Sequence, residues 1–392
     1  MSQEINYSTS ALIATTTGGL EMPVFYDPHT QIYNSKPPAS VITGAPGSGK
    51  TFLALTLTAI STIMGKTTVV LDPKGDFLSL MNIKEDIGSF ELWNLMDNRN
   101  KGILDPFNMA KTESETLSLV LETIELFMGG LRDEQLTALS PIVQDVMDEK
   151  SPSLTRVVSM LRSSQNQAAQ HMGTRLNMIS KMNFAKLCFA PASRTSNKVN
   201  LSGGLTVITL LGLNLPSSPE EAKESNEGRL ASGIFFLLTD FIRRVMEDDQ
   251  SVKPKTLVID EAWAVISSKA GAQTIKKVSL LGRSKDIAMI LVTQSPKHLE
   301  GLDIESTIKT RFAFSTSTNE AKILIEDMNL PLNEGFEKII TNLSRGECLM
   351  QDWRDKYSTI KITSWKKDWM TAFATNPLQK RLQKMQDSKA SA

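Results

Sequence analysis

The chain has only two cysteines in 392 residues, Cys188 and Cys348. Their number and spacing exclude a disulfide framework and a cysteine metal site, and a reducing compartment is the simple reading. Three scattered histidines, His29, His171 and His298, exclude a histidine-based metal centre. Charge of one sign is also lacking: Lys+Arg and Asp+Glu both total 43. The overall field therefore gives no argument for a nucleic-acid partner. No run approaches the ~18 apolar residues of a membrane helix. The nearest, Gly233 to Val245, is broken by Asp240, Arg243 and Arg244. Met1 to Asn6 is polar, so no signal peptide is visible. These absences predict a soluble, cytoplasmic chain that meets a membrane only through partners. Apolar residues are ample, at 41%, for one large domain or two to three smaller ones.

Residues 44–51 read Gly-Ala-Pro-Gly-Ser-Gly-Lys-Thr and match the phosphate-loop pattern G-x-x-x-x-G-K-[ST] at every fixed position. A short β-prone run, Ala39 to Thr43, precedes the loop, and an apolar segment at helical spacing, Phe52 to Met64, follows it. Glycines let backbone N–H groups face an anion at a helix N-terminus. The predicted nucleotide-binding segment is Gly44, Ala45, Pro46, Gly47, Ser48, Gly49, Lys50, Thr51 and Phe52. Lys50 would reach the β- and γ-phosphates of ATP, and Thr51 would ligate Mg²⁺.

A second motif, Thr256-Leu-Val-Ile-Asp-Glu-Ala262, is an apolar strand ending in two acids. Asp260 would hold the Mg²⁺ shell, and Glu261 would orient and polarise the attacking water. Gln294, at the end of the strand Ile287–Thr293, would lie near the γ-phosphate. Arg283, in Leu-Gly-Arg-Ser-Lys after the helix that follows Glu261, is the candidate finger for a neighbouring subunit's nucleotide, with Arg311 as second candidate. Asp72 and Asp76 flank Lys74 in the loop after the second strand; they could orient nucleotide, water or a translocated chain, or form a solvated loop. From Arg354 to the end there are nine Lys/Arg and three Asp/Glu, a local net of +6, with Trp365 and Trp369 among them. That pattern suits a contact with DNA, or a solvated helix anchored by buried tryptophans.

Strands alternating with helices predict an α/β fold with a largely parallel sheet flanked by helices and an inserted all-helical subdomain. The expected division is a lead-in at 1–38 with a strand at Met22–Tyr26, an α/β domain at 39–111 and 196–365, a helical insertion at 112–195, and a basic helical tail at 366–392. Within the insertion, Thr112 with Glu115 is a capping-box pair, and helices are expected at Asp133–Met147, Leu154–Ser163 and His171–Phe189. Glu347–Trp353 and Tyr357–Thr363 read as a terminal hairpin turning near Arg354-Asp-Lys356.

In this order, the motifs resemble the HerA/FtsK superfamily of hexameric translocation ATPases, and within it the conjugation and type IV secretion ATPases of the VirB group, TraC and TrbE type. The resemblance rests on Gly44–Thr51, Asp72-Pro-Lys-Gly-Asp-Phe77, the helical insertion, Val258-Ile-Asp-Glu-Ala-Trp263, Gly282-Arg-Ser-Lys285, Leu291-Val-Thr-Gln-Ser295 and the strand around Arg311. One departure is Ser284, which separates the basic pair Arg283 and Lys285. The resemblance implies a RecA-like P-loop, Mg²⁺-dependent ATPase, active as a homo-hexamer beside other subunits of a secretion or conjugation machine and peripheral to the inner face of the cell membrane. It implies an ATP-driven role in conjugative DNA transfer, type IV secretion and pilus assembly. The alternatives are a DNA-pumping or coupling-protein-like translocase, and a nucleotide-gated assembly module with little turnover. Family members usually carry an additional amino-terminal domain, whereas here only about 40 residues precede the loop; the expectation is either an ATPase portion or a short relative.

Overall fold

β-branched runs set the frame. Ala39–Thr43 (β3), Thr67–Asp72 (β4), Leu205–Thr209 (β6), Lys255–Ile259 (β7) and Ile287–Val292 (β8) are buried along their whole length, as strands covered on both faces must be. Successive side chains enter opposite cores. Val41, Val69, Leu71, Leu257, Ile259 and Met289 point to one apolar cluster. Ile42, Val70, Val258, Ile290 and Val292 point to the other. The computed structural model describes residues 10–95, 100–189, 204–211, 213, 224–247, 253–266, 269–300, 304–364 and 366–373.

One sheet of eleven strands runs through the molecule in the order β2-β1-β11-β10-β9-β3-β8-β7-β4-β6-β5. From Ile308–Phe314 (β9) across to Phe90–Asn94 (β5) the pairing is parallel throughout. The other edge is antiparallel, formed by Glu347–Gln351 (β10), Tyr357–Ile362 (β11), Ala11–Thr16 (β1) and Pro23–Tyr26 (β2). The expected hairpin is β10–β11, with Asp355 at φ 58° in its turn. β2 occupies the strand position expected in the lead-in. β1 was not foreseen: Ala14–Thr16 pair with β11 from the far end of the chain, Ala14 opposite Ile362, and its other side pairs with β2.

The helix Lys50–Ile63 covers one face of the sheet and Asn226–Glu247 the other. The four helices Glu113–Met128, Asp133–Met147, Leu154–Ser163 and Gln167–Ile179 add their apolar stripes to the second core, Val120, Ile124 and Phe127 joining Leu230 and Ile234. Sheet and helical segment therefore share one core. The Thr112 hydroxyl accepts from Glu115 N at 3.3 Å, while the Glu115 carboxylate accepts from Lys111 N. The last helix starts earlier than His171 because Asn166 accepts from the amides of Ala168 and Ala169. It stops at Ile179, and only a short 3₁₀ turn, Ala185–Leu187, lies in the rest of the expected span.

Both cysteines are free and buried. Among the described residues no helix is long and apolar enough to cross a membrane. Trp369 is 1% exposed, and its Nε1 donates to Asp86 Oδ2 at 2.9 Å. It is an anchor in the core and is not open to stack on a base. Trp365 and residues 374–392 of the basic tail lie outside the described residues.

Candidate functional site

Four neighbouring strands, β3, β8, β7 and β4, end side by side because they are parallel and in register: Ile42 opposite Val292, Ile259 opposite Leu291, Leu71 opposite Ile259. Their carboxyl ends deliver, in order, the loop Gly44–Lys50, Gln294, the pair Asp260-Glu261, and the turn Asp72–Asp76. Ligand clefts form at such edges of open α/β sheets. Here a cleft of about 490 Å³ is lined by Lys50, Thr51 and Phe52 from the loop side and by Asp260, Glu261, Gln294 and Lys74 from the other.

Gly44, Gly47 and Gly49 take positive φ, and Gly49 (φ 121°) packs so closely that a Cβ there would stand 3.1 Å from the Gly346 backbone. The loop is braced from below by Gly346 N, which donates to Ser48 O at 2.9 Å. Lys50 folds back onto its own loop. Its ammonium donates to Gly44 O at 2.6 Å and Ala45 O at 2.9 Å. Burial lowers it to about 8, against the attraction of Glu261 and Asp260.

Opposite Lys50, burial and then the negative charges of Asp72, Glu261 and Asp76 push the Asp260 carboxyl up to about 7. Asp72 is pushed up to about 6, chiefly by burial, although it accepts three backbone amides. Glu261 goes the other way. Burial alone would raise it, but contacts from Lys74, Trp263 and Gln294 outweigh that and hold it below its ordinary value. The Lys74 ammonium pairs with Glu261 Oε1, and Trp263 Nε1 donates to Oε2 at 2.6 Å. Glu261 also sits at φ 49°, an uncommon backbone for a non-glycine residue and one often found at functional sites.

The two arginine candidates lie elsewhere. Arg283 is exposed on the turn leading into β8, at the amino-terminal edge of the sheet, and its Nη1 donates to Ser35 O at 3.4 Å. Gly282 pins that turn: a Cβ there would stand 2.3 Å from Pro38 Cγ. Arg283 is thus on the edge opposite its own loop. Arg311, in β9, is 9% exposed and bound within the chain, Nε to Asp327 Oδ2 at 2.7 Å and Nη1 to Ile308 O at 3.0 Å.

Sequence reasoning missed one whole wall of the cleft. Arg345 and Gly346 before β10, Lys361 and Ile362 in β11, and Met370 and Phe373 near the described end all line it. The rings of Phe373 and Phe52 meet edge-on, 5.9 Å apart. No short motif marks these residues; the signal available was the expected hairpin, whose position in the sheet no local pattern specifies.

A profile of the AAA-like domain family matches residues 29–373, nearly the whole described chain. The chain belongs to the AAA-like domain family. YddE of Bacillus subtilis (strain 168), described as an uncharacterized protein, is 23% identical over 398 residues, covering 95% of this chain and 47% of its own length. The chain thus spans about half the length of that relative. The solved structure of VirB4 from Thermoanaerobacter pseudethanolicus aligns with a TM-score of 0.73 at 15% identity, covering 94% of this chain and all of that one. The fold of this AAA-like domain is therefore the VirB4 fold, α/β with a mostly parallel sheet, as the resemblance implied.

Proposed function

We propose that this AAA-like domain hydrolyses ATP with Mg²⁺ and energises transfer through a conjugation or type IV secretion machine. The observation that carries the reading is the convergence, on one cleft, of Lys50, Asp260, Glu261 and Gln294 from adjacent strand ends. The VirB4 fold supports the choice of machine. Lys50 would exchange its two loop carbonyls for the β- and γ-phosphates. Thr51 and Asp260 would hold Mg²⁺. The donor set fits that ion: burial, and then the nearby carboxylates of Asp72, Glu261 and Asp76, raise Asp260, and a divalent cation would offset both effects. Among the described residues no three His, Cys, Asp or Glu side chains converge to hold a metal by themselves. That suits a hydrated Mg²⁺ completing its shell from phosphate and water. The ion would neutralise charge on the β,γ-phosphates, while Glu261 would orient and polarise the water.

Arg283 would act across a subunit boundary, because its edge of the sheet is opposite its own loop. That needs a head-to-tail ring contact, in which one subunit's amino-terminal edge meets its neighbour's cleft. Specific ATPase activity should then rise with protein concentration. Glu261→Gln should keep nucleotide binding and stop turnover. Mixing it with Arg283→Ala subunits should restore some activity at shared boundaries. Hydrolysis by Glu261→Gln at the parental rate would refute the water-activating role. No recovery in mixtures shown to co-assemble would refute the finger. Stimulation by single-stranded DNA would favour the DNA-pumping alternative over a machine-energising motor.

A further inference from the structure

The sequence motif Asp72-Pro-Lys-Gly-Asp76 has no part in the reading above, yet the fold spends much on placing it. Asp72 Oδ1 accepts from Gly75 N at 2.7 Å and Asp76 N at 3.1 Å, and Oδ2 from Phe77 N at 2.9 Å. Gly75, at φ 81°, closes the turn and starts the 3₁₀ helix Asp76–Ile83. Lys74 is left at the turn's crest, with its side chain about half exposed and lining the same cleft as Lys50. β4 and β7 are neighbours, Asp260 N donating to Leu71 O at 3.0 Å, so this crest stands beside Glu261.

Both oxygens of Glu261 are engaged: Oε1 by Lys74 and Oε2 by Trp263. A carboxylate that is to take a proton from water must turn an oxygen toward that water. Lys74 is the partner that can leave. Its stem is flexible and half in solvent, its ammonium carries three donors, and among the described residues it makes no other ion pair that it would have to abandon. Trp263 is held on the helix Ala262–Ile266 with its ring beside His298, so its donor has less freedom to leave than the lysine. A phosphate entering beside Lys50 brings a stronger anion to the same ammonium.

We propose that Lys74 is a positioning residue that responds to the terminal phosphate: it holds Glu261 Oε1 while the cleft lacks a γ-phosphate and moves to that phosphate when a nucleoside triphosphate binds, freeing the oxygen. The inference rests on the reading of the cleft as a nucleotide hydrolase site.

Its signature is competition between Glu261 and the γ-phosphate for one lysine, which a double-mutant cycle reads. The affinities of AMP-PNP and ADP are measured by calorimetry for the parent, Lys74→Met, Glu261→Ala and the double variant. Lys74→Met should lower the AMP-PNP:ADP affinity ratio about tenfold, the scale of one charge-assisted hydrogen bond. Glu261→Ala should raise the ratio, because Lys74 is released to the phosphate, and the double variant should lose that gain. Relief of simple repulsion between Glu261 and phosphate would also raise the ratio, but it would persist in the Lys74→Met background, and that result overturns the proposal. So does a ratio that ignores Lys74→Met. Thermal unfolding of each variant checks folding, and Lys74→Gln, a second neutral replacement at this half-exposed position, repeats the cycle should Lys74→Met misfold. A parent that binds neither nucleotide overturns both the hydrolase reading and this inference. A parent that binds both and hydrolyses ATP, with an unresponsive ratio, overturns the inference alone.

Discussion

Arg311 separates a structural arginine from a catalytic one. It sits in β9, between β3 and β10, with Val41 and Gln351 as its register partners. Its guanidinium meets Asp327 at the end of the helix Thr318–Asp327, and the two side chains are 10% and 18% exposed. Replacing Arg311 with methionine leaves Asp327 charged and nearly buried, without its partner, and also strips a donor from Ile308 O. Breaking a buried pair costs roughly 3–5 kcal/mol, and the residual exposure of both partners puts this one near the lower end, about 3 kcal/mol. With an unfolding entropy of about 2.1 cal/mol/K per residue over 392 residues, 1 kcal/mol corresponds to about 1.2 °C, so Arg311→Met should lower Tm by about 4 °C.

Scanning calorimetry on Arg311→Met, Arg283→Met and Arg311→Met/Asp327→Leu tests this. Arg283→Met should unfold within about 0.5 kcal/mol of the parent, as an exposed substitution does. The double variant should recover at least half of the lost stability, because an apolar pair of similar volume removes the orphaned charge. An Arg311→Met protein that unfolds with the parent yet loses ATPase activity would refute the structural assignment. Arg311 would then be the available finger, and its pairing with Asp327 incidental.

Lys50→Ala should weaken ATP binding by about a hundredfold, the loss of two charge-assisted phosphate contacts of ~1.5 kcal/mol each; titration calorimetry showing parental affinity would contradict the loop reading. In the free protein Lys50 loses its charge as pH rises through about 8, while bound phosphate would restore it. Binding should therefore take up a proton and weaken above pH 8, measurable as buffer-dependent binding enthalpy at pH 8.5; equal enthalpies across buffers would refute it. Cys188 and Cys348 are both fully buried, and burial pushes both thiols up; neither should react with a thiol probe in the folded protein at pH 8, and both should react on unfolding. Asp27 is fully buried against Lys66, and although burial alone would raise its carboxyl, His29 and Lys66 hold it below its ordinary value. A depressed carboxylate stabilises the fold above the unfolded value and loses that contribution as pH falls through the folded one. Asp27→Asn should therefore destabilise the protein at pH 7 and converge on the parent below about pH 4, a trend that denaturant melts across that range would show or refute.

The sequence announced the strands because they are covered on both faces, so their β-branched runs need no partner information to be recognised. β3, β7 and β8 all fell within a residue or two of expectation for that reason. The phosphate loop and the Asp260-Glu261 pair were legible because their chemistry fixes residue types at fixed short spacing. β1 was not: ALIATT is too mild to stand out from a polar lead-in, and it becomes a strand where β2 and β11 flank it. The wall formed by Arg345, Lys361, Met370 and Phe373 was hidden for the same reason, being assembled by sheet order across some 300 residues of chain. Asn166 could have been read, since an asparagine ahead of Gln-Ala-Ala is an ordinary helix start.

The two edges of the parallel sheet carry different groups, and topology assigns them. At the carboxyl edge, the short connections after β3, β4, β7 and β8, with the start of the helix Lys50–Ile63, carry Lys50, Thr51, Lys74, Asp76, Asp260, Glu261 and Gln294 to the cleft. At the amino edge lie the turn bearing Arg283 and the buried group of Asp27, His29 and Lys66, with His29 Nε2 against Lys255 O at 3.1 Å. That group ties the segment before β3 to the starts of β4 and β7, and the same segment offers Ser35 O to Arg283. Rigid support at that edge is what a surface presented to a neighbour would need: in the proposed arrangement, a finger useful to another subunit would be held by groups its own nucleotide does not touch. In the proposed ring, the groups that would read a subunit's own phosphate, Lys74 and Glu261 among them, would lie on the edge opposite Arg283, and the two sets would meet only where a second copy of the chain brings its amino edge to the first one's cleft.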